Sequence, residues 1–376
     1  MKIRYKAPLI VISIALATAS VSAYVSYRAN VRMIDAAKAQ ELRTVATVIG
    51  NSIASQSSKS AARASLVVNL PSIQEAFRRQ SREDLTKRLV PAFLAQKEQY
   101  GVREGQFHLA PATSFLRLFD LQAGHGEDLS GFREMVVATN AKQQLQQGVE
   151  IGRQGLSIRG VAPISDARGP IGSFEVGLSF VTVLQDVKKT TGFEAAVFVD
   201  DALMARVAKM VPRPDVERII NGYQAVEATN WQVIRPLATP DLLTATKEVV
   251  TKLPSVSGND FGVVAVPVLD YKGTPIGSVV ATRSFEDYQT QAQWALVMAL
   301  SVAFLQAVLL TGAMLIVINA MVIAPMATIS DKIALMAKRA PAPKLAGIAG
   351  TKDELGTIAW NLETLEEAIK KTPTGV

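Results

Sequence analysis

The stretch PIGSFEVGLSF at residues 170–180 is repeated as PIGSVVATRSF at residues 275–285, a shift of 105 positions. The first four residues and the closing Ser-Phe pair are identical in the two copies, and so is the spacing between them. Because each copy is a short apolar run that follows a turn sequence, we interpret each as the second strand of a β-hairpin.

The residues before each copy support the same interpretation. VAPI at 161–164 is similar to AVPV at 265–268, with one residue of slippage, and DARG at 166–169 or DYKG at 270–273 supplies the turn. A repeat of this length is too long for a solenoid and indicates two tandem modules, each an antiparallel sheet closed by its last hairpin. The alternative is two unrelated hairpins that share turn chemistry.

The composition excludes several classes of protein. The chain has 376 residues, of which 49% are hydrophobic and 19% are charged, so it is neither collagen-like nor disordered. Its mean hydropathy of +0.21 is high for a soluble enzyme and indicates membrane segments. The absence of cysteine excludes disulfides, thiolate zinc sites and a cysteine nucleophile, and two histidines exclude most histidine-rich metal sites. The net charge of +7 is not concentrated enough to predict nucleic-acid binding.

The first membrane segment is predicted at residues 7–27, which carry no charge and follow Lys2, Arg4 and Lys6. This stretch is either an uncleaved anchor or a signal peptide, since Val21-Ser22-Ala23 is a loose cleavage site. The residues beyond it continue directly into a helical pattern, which favours the anchor.

A second transmembrane helix is predicted at residues 293–323, because there is no charge between Asp287 and Asp331. Trp294 lies at its outer edge, where aromatic rings are expected at the headgroup level. The cations on its far side are Lys332, Lys338, Arg339 and Lys344. These cations place the C-terminus in the cytoplasm and residues 28–291 outside it.

The order of elements in the outer domain predicts an α+β fold. We expect a long helix at about 30–69 and a shorter amphipathic helix containing Phe77 and Phe93. The remaining predictions are strands at 106–110, 114–119 and 193–199, a helix at 129–140 capped by Asp128 or Ser130, and a glycine-rich turn at 148–155.

Four stretches of the outer domain resemble a known family. They are FHLAPATSFLR at 107–117, EDLSGFR at 127–133, GLSIRGVAP at 155–163 and GSFE at 172–175. They look like the double Cache sensory domains of bacterial chemoreceptors and sensor kinases, over about residues 30–290 and more specifically in the first module than in the second. The resemblance implies two PAS-like modules on a long N-terminal helix in a bacterial inner-membrane protein. It further implies that the first module (about 70–182) is membrane-distal and binds a small molecule; the second module (about 183–288) has no polar cluster and is expected to be a spacer.

Arg117 is the strongest candidate for ligand binding. Strand alternation puts it on one face with Phe115 and Phe119. A guanidinium among aromatic rings needs an anionic partner, which is either an internal Asp or Glu or the carboxylate of a ligand. The family resemblance favours the ligand.

Arg159 and Glu175 lie on predicted strands whose other residues on the same face are small or polar, so that this face either is solvated or lines a pocket. The position that matches Glu175 in the second copy is Val280, which confines the charge to the first module. We therefore place the site in the first module.

Three further residues are weaker candidates. His108 could hydrogen-bond a ligand or be a core histidine, Arg133 could bind a ligand or pair with Asp128, and Asp128 fits a helix cap better than a ligand group. The arginines favour a small organic anion, whereas the acidic residues allow an amine or an amino acid.

The tail at 324–376 resembles the HAMP signal-relay module. Pro325 follows the membrane helix and an apolar stripe continues through Ile329 and Ile333. After a connector, DELG at 353–356 opens a helix with apolar residues at 355, 358, 362, 365 and 369, the spacing of a coiled-coil seam. The resemblance implies a homodimer; the alternative is a helix lying on the membrane surface.

These features together predict a membrane receptor that binds a small ligand and passes the signal inward. No output domain follows before Val376, so we expect either a separate kinase or chemoreceptor partner or a truncated receptor. The alternative is a binding or scaffold protein of the cell envelope. We expect no enzymatic activity and no cofactor, because the chain has no hydrolase, zinc-protease, nucleotide-binding or phosphoacceptor motif.

Overall fold

The computed structural model describes residues 3–166, 169–244, 247–338 and 340–371. The chain divides into two compact units. One comprises residues 35–289, and the other comprises the residues up to 34 together with those from 290 onward.

The first module is an antiparallel sheet with helices before it in the chain. Its elements are α1 (Ile3–Val68), α2 (Pro71–Arg78), α3 (Arg82–Tyr100), β1 (Val102–Leu109), β2 (Thr113–Arg117), α4 (Glu134–Lys142), β3 (Gln146–Gly152), β4 (Gly155–Asp166) and β5 (Gly169–Leu178). The strand order is β2-β1-β5-β4-β3, and every neighbouring pair is antiparallel.

One face of this sheet packs against α1 and α2. A side chain at Gly160 would lie only 2.3 Å from the backbone of Ala61, so glycine lets the helix backbone rest on β4. Phe107 stacks on Phe77 and on Phe174, with ring centroids 5.3 and 4.5 Å apart. This face is therefore apolar, and strand alternation turns the polar residues to the other face.

Two predicted elements of the first module are present with other bounds, and one predicted turn is mostly a strand. The predicted helix at 129–140 begins only at Glu134, because the Asp128 carboxylate accepts the backbone N–H of Ser130 at 2.9 Å in a local turn and caps no helix. The predicted glycine turn at 148–155 is mostly β3; Gly148 is needed there because Tyr271 lies 2.8 Å from where its Cβ would be. The predicted strand at 106–110 begins earlier, at Val102.

The second module repeats the closing hairpin. Its elements are α5 (Val181–Thr191), β6 (Glu194–Asp200), α6 (Asp201–Val207), β7 (Ile219–Ile220), β8 (Tyr223–Ala228), α7 (Trp231–Ile234), α8 (Pro240–Leu243), β9 (Val250–Lys252), β10 (Ser255–Val256), β11 (Asn259–Leu269) and β12 (Pro275–Ser284). The strand order is β10-β11-β12-β6-β8-β7, and β9 also pairs with β11.

The repeat predicted from the sequence is confirmed at the level of pairing. The two hairpins, β4–β5 and β11–β12, are both antiparallel, and each changes register at the matching place, after Ile164 in the first and after Val268 in the second. Residues 167 and 168 of the first predicted turn lie outside the described residues.

The other unit contains the segments that are apolar enough to cross a membrane. Its later elements are α9 (Glu286–Ile318), a π-helical turn (Asn319–Ile323), α10 (Ala324–Ala337), α11 (Ala346–Ala349) and α12 (Glu354–Lys371). By length and composition, the helices over Pro8–Val68 and Glu286–Ala337 each include a membrane-spanning candidate. The first predicted segment and the long helix after it form one continuous helix, α1. The π turn precedes Pro325, whose ring would clash with a carbonyl of the preceding turn in a regular α-helix.

In the tail, α10 and α12 pack through a small apolar cluster of Ile329, Leu345 and Ala359. Lys332, one of the cations used to predict topology, is buried and donates to Glu363 at 2.7 Å. Arg339, another of those cations, lies outside the described residues.

Candidate functional site

The polar face of the first sheet carries an array of buried side chains. Neighbouring strands bring them together in register: Glu104 lies opposite Gly177, which lies opposite Arg159. In the next row, Arg117 lies opposite Gln106, which lies opposite Glu175. Because residues directly across a ladder share a face, a few charged residues on separate strands converge on one surface. The buried polar residues of this face are Glu104, Gln106, His108, Ser114, Arg117, Glu150, Ser157, Arg159, Ser173 and Glu175.

Arg159 is clamped by two glutamates. Its Nη1 and Nη2 donate to the two carboxylate oxygens of Glu104 at 2.7 and 3.0 Å, and Nη1 also donates to Glu175 at 3.0 Å. All three side chains are buried. The guanidinium is therefore compensated inside the module, and Gly152 provides room for it, because a Cβ there would lie 2.5 Å from Arg159 Nη2.

Arg133 reaches the same carboxylate from just before α4. Its Nε donates to Glu150 at 2.7 Å, and its terminal nitrogens donate to Glu175. Arg133 thus pairs with Glu150 and Glu175; the alternative that it pairs with Asp128 is wrong. Two arginines and three glutamates, Glu104, Glu150 and Glu175, form a continuous ionic network that we call the buried network.

The protonation states in this network follow from burial and charge. Burial opposes ionisation of Glu175, but the attraction of Arg133 and Arg159 outweighs it and holds its pKa below the ordinary value. Burial lowers the pKa of His108 to about 3, so its imidazole is neutral. His108 Nδ1 lies 3.3 Å from Ser173 Oγ, whereas its Nε2 has no hydrogen-bond partner and lies 3.9 Å from Glu175.

Arg117 has a different environment. Its side chain is 4% exposed, and Nη2 donates to Glu127 at 2.5 Å. Glu127 lies on the segment 118–133, which crosses the polar face between β2 and α4. Gly124 of this segment has a φ of +75°, and a Cβ there would lie 2.1 Å from the guanidinium carbon of Arg117. The segment can approach Arg117 so closely only because this residue is glycine.

The first module meets the second beside this face. Glu127 also accepts from Arg153 Nε at 2.7 Å, and Arg153 in turn donates to the carbonyl of Val207 in the second module at 3.2 Å. Tyr271 donates its backbone N–H to Val149 at 3.1 Å. A cavity of about 600 Å³ lies between these contacts. Its walls include Phe132, Glu150, Arg153, Val207 and Tyr271.

Four of the six residues singled out in the sequence lie on this face, Arg117, Arg159, Glu175 and His108, and Arg133 reaches it from just before α4. Asp128 does not; it is exposed and bonded to its own turn. Sequence reasoning missed Glu104, Glu127 and Arg153. Glu104 could have been found, since it alternates with Gln106 and His108 along β1, had the strand been predicted from Val102.

The two modules differ on this face. In the second module, Val280 occupies the place of Glu175, and it belongs to an apolar cluster with Phe198 and Val263. Among the residues that the structure describes, no group of three His, Cys, Asp or Glu side chains could hold a metal ion.

Comparison with known proteins agrees with this description. A family model described as the double sensory domain of two-component sensor kinases matches residues 38–289. No curated protein matches the sequence significantly. Among solved structures, the chain resembles the extracellular domain of a protein assigned as the histidine kinase vpHK1S-Z8, with 14% identity and a TM-score of 0.42 over 70% of this chain and 96% of that one.

Two other solved structures resemble the chain at a comparable sequence identity and TM-score. The sensory domain of the Campylobacter jejuni chemoreceptor Tlp3, solved with isoleucine bound, shares 12% identity and a TM-score of 0.39 over 72% of this chain and 98% of its own. A domain of a Vibrio parahaemolyticus protein of the sensory box/GGDEF family shares 14% identity and a TM-score of 0.41 over 69% and 99%. These likenesses are distant, and the family assignment rests on the sequence match.

Proposed function

The chain belongs to the double Cache family of sensory domains of two-component sensor kinases, and from that premise we propose that it is a bacterial inner-membrane receptor. In this proposal the first module binds a small ligand on its polar face. The second membrane helix and the HAMP-like tail pass the signal to a cytoplasmic or membrane partner of a chemotaxis or two-component pathway.

One observation carries the proposal: the first module buries the charged network, whereas the second module fills the matching face with apolar side chains. Well-packed apolar residues stabilise a core at least as well as buried ion pairs do. The buried network is therefore poorly explained by stability alone. Beside it, Arg117 Nε and His108 Nε2 are buried without a hydrogen-bond partner among the described residues, and unsatisfied polar groups of this kind are typical of binding sites. We propose that the ligand site comprises Arg117, Arg133, Arg159, Glu175 and His108.

The proposed topology has two membrane passes, with residues 28–291 in the periplasm. It is supported by the two membrane-spanning candidates and by Lys338 and Lys344 beyond the second one. In this arrangement α1 and α9 are the segments by which the sensory unit connects to the membrane.

The proposed relay is a homodimeric bundle of α10 and α12. In α12 the apolar seam remains open: Ile358, Leu365 and Ile369 are exposed. Exposed apolar residues at coiled-coil spacing are typical of a helix that pairs with a second copy.

Ligand binding tests the proposal. The full chain in lipid nanodiscs would be screened by thermal unfolding against organic acids, amino acids, amines and inorganic anions. A ligand at a hundredfold excess over its Kd stabilises the folded state by about 2.7 kcal/mol, which raises Tm by roughly 5–10 °C for a unit of this size.

Two arginine variants make the screen specific. Arg117→Met should abolish the shift, whereas Arg213→Met, which removes an exposed arginine paired with Asp201 in the second module, should keep it. If no compound shifts the wild-type Tm, the receptor proposal fails and the chain is better regarded as an envelope scaffold.

A further inference from the structure

Arg117 is paired in a way that sets it apart from the other buried arginines. Arg133 and Arg159 pair with glutamates on strands, and those glutamates are themselves buried. The partner of Arg117 is instead Glu127, whose side chain is 28% exposed and lies on the connecting segment 118–133. A buried cation is here neutralised by a carboxylate at the protein surface.

The guanidinium of Arg117 also retains unused hydrogen-bonding capacity. An arginine has five N–H donors, yet Arg117 makes one strong hydrogen bond, to Glu127, and a 3.7 Å contact from Nη1 to the sulfur of Met210. Its Nε is buried and has no hydrogen-bond partner. Because Glu127 makes a single contact, the guanidinium retains free N–H groups, and two of its nitrogens would donate to a carboxylate in bidentate fashion.

For a carboxylate ligand to replace Glu127 on Arg117, only the side chain of Glu127 must move. Its backbone is fixed to β2, because Ser114 donates its N–H to the Glu127 carbonyl at 2.9 Å and Gly126 donates to the Ser114 carbonyl at 2.8 Å. The carboxylate itself is held by Arg117 and Arg153, which together keep its pKa low although burial opposes this. A partly exposed side chain can rotate into water without unfolding the segment.

We propose that Glu127 is a tethered substitute for the ligand, which is a small carboxylate that takes the place of the Glu127 carboxylate on Arg117. This inference rests on the proposed function and narrows it to one ligand class. It also links binding to the second module through Arg153. The side chain of Arg153 donates to Glu127 and to the carbonyl of Val207, and its own carbonyl accepts the backbone N–H of Met210. A ligand that displaces Glu127 changes the partners of the arginine that joins the modules.

Chemical rescue tests the exchange without knowledge of the natural ligand. Glu127→Ala removes the atoms of one acetate molecule, so the probe is sodium acetate, added to the full chain in nanodiscs against sodium chloride at equal ionic strength. Acetate should raise the Tm of Glu127→Ala saturably, and acetamide, which has the same shape without charge, should not. Wild type, Glu127→Ala/Arg117→Met and Glu217→Ala, which breaks an exposed pair with Arg235, should not respond.

Hydrogen exchange supplies a second readout. Peptides covering residues 203–211 should exchange faster in Glu127→Ala than in wild type, and acetate should restore their protection. Glu127→Gln, which keeps the side-chain shape, should bind any carboxylate found by the ligand screen at least tenfold more tightly than wild type. Absence of an acetate response in folded Glu127→Ala, or unchanged affinity in Glu127→Gln, overturns the proposal. If acetate rescues Glu127→Ala but the screen finds no ligand for wild type, the carboxylate site stands and the receptor function fails.

Discussion

Acidification from pH 7.5 to pH 5.0 should destabilise the sensory unit through His108. Burial keeps the imidazole neutral in the folded protein, with a pKa of about 3, while in the unfolded chain it takes up a proton below about pH 6.5. The unfolded state therefore binds more protons than the folded state, so this contribution to stability is complete above pH 6.5 and is lost as the pH falls toward 3.

The magnitude follows from these two values. At pH 5.0 the unfolded histidine is almost fully protonated and the folded one is not, which lowers the free energy of unfolding by about 2 kcal/mol relative to pH 7.5. For a unit of this size that corresponds to a fall in Tm of roughly 4–8 °C. The result requires only that the folded-state pKa lie well below 5.

The assay is thermal unfolding of the full chain at the two pH values, in wild type and in His108→Gln. The variant lacks the group that titrates in the unfolded state, so the fall in its Tm on acidification should be smaller than that of wild type by roughly 4–8 °C. The chain contains a second histidine, His125, which is exposed, and His125→Gln is the matched control that should keep the wild-type loss. If His108→Gln and wild type lost equal stability on acidification, His108 would not be neutral in the folded protein and its described burial would be wrong.

Two further predictions concern the segment over the site and the tail. Gly124→Ala should destabilise the unit by at least about 2 kcal/mol in denaturant unfolding, because the methyl group would force Arg117 to move as well as straining the backbone. Gly126→Ala, with a similar φ but open space around it, should cost only about 1 kcal/mol, and equal costs would contradict the packing of Gly124 on Arg117. In a chain without cysteine, Ile369→Cys on the seam of α12 should form an interchain disulfide readily, whereas Glu367→Cys should not; the reverse pattern would exclude the proposed dimer seam.

The hairpins could be predicted from the sequence because their signal is local. Alternating apolar residues, a turn sequence and a second copy with the same spacing fix strand, turn and register within about twenty residues. The structure repeats even the register change after Ile164 and Val268, which corresponds to the point where the two sequences slip by one residue. The polar face followed from the same alternation, which placed Arg159 and Glu175 on it.

The pairing of charges could not be predicted because it depends on contacts between distant residues. Arg159 and Glu104 are 55 positions apart, and Arg133 and Glu175 are 42 apart. Nothing local distinguishes Glu150 as the partner of Arg133 from Asp128, which is nearer in the chain. The start of α4 was mispredicted for a related reason, since the Asp128 side chain forms its turn with Ser130 instead of capping a helix, a competition that propensity alone does not decide.

The site and the junction between the modules share short stretches of backbone, and this bears on how binding could be sensed. Arg133 belongs to the buried network, and the next residue, Glu134, forms an ion pair with Lys272 in the second module. Glu127 likewise joins Arg117 to Arg153, which contacts Val207. A ligand that moves Arg133 or Arg117 even slightly also shifts a residue that contacts the second module. Because packed interfaces tend to switch between discrete arrangements instead of deforming smoothly, a carboxylate that removes Glu127 from Arg117 has a direct way to change the fit of the modules, without a signal passing through the sheet itself.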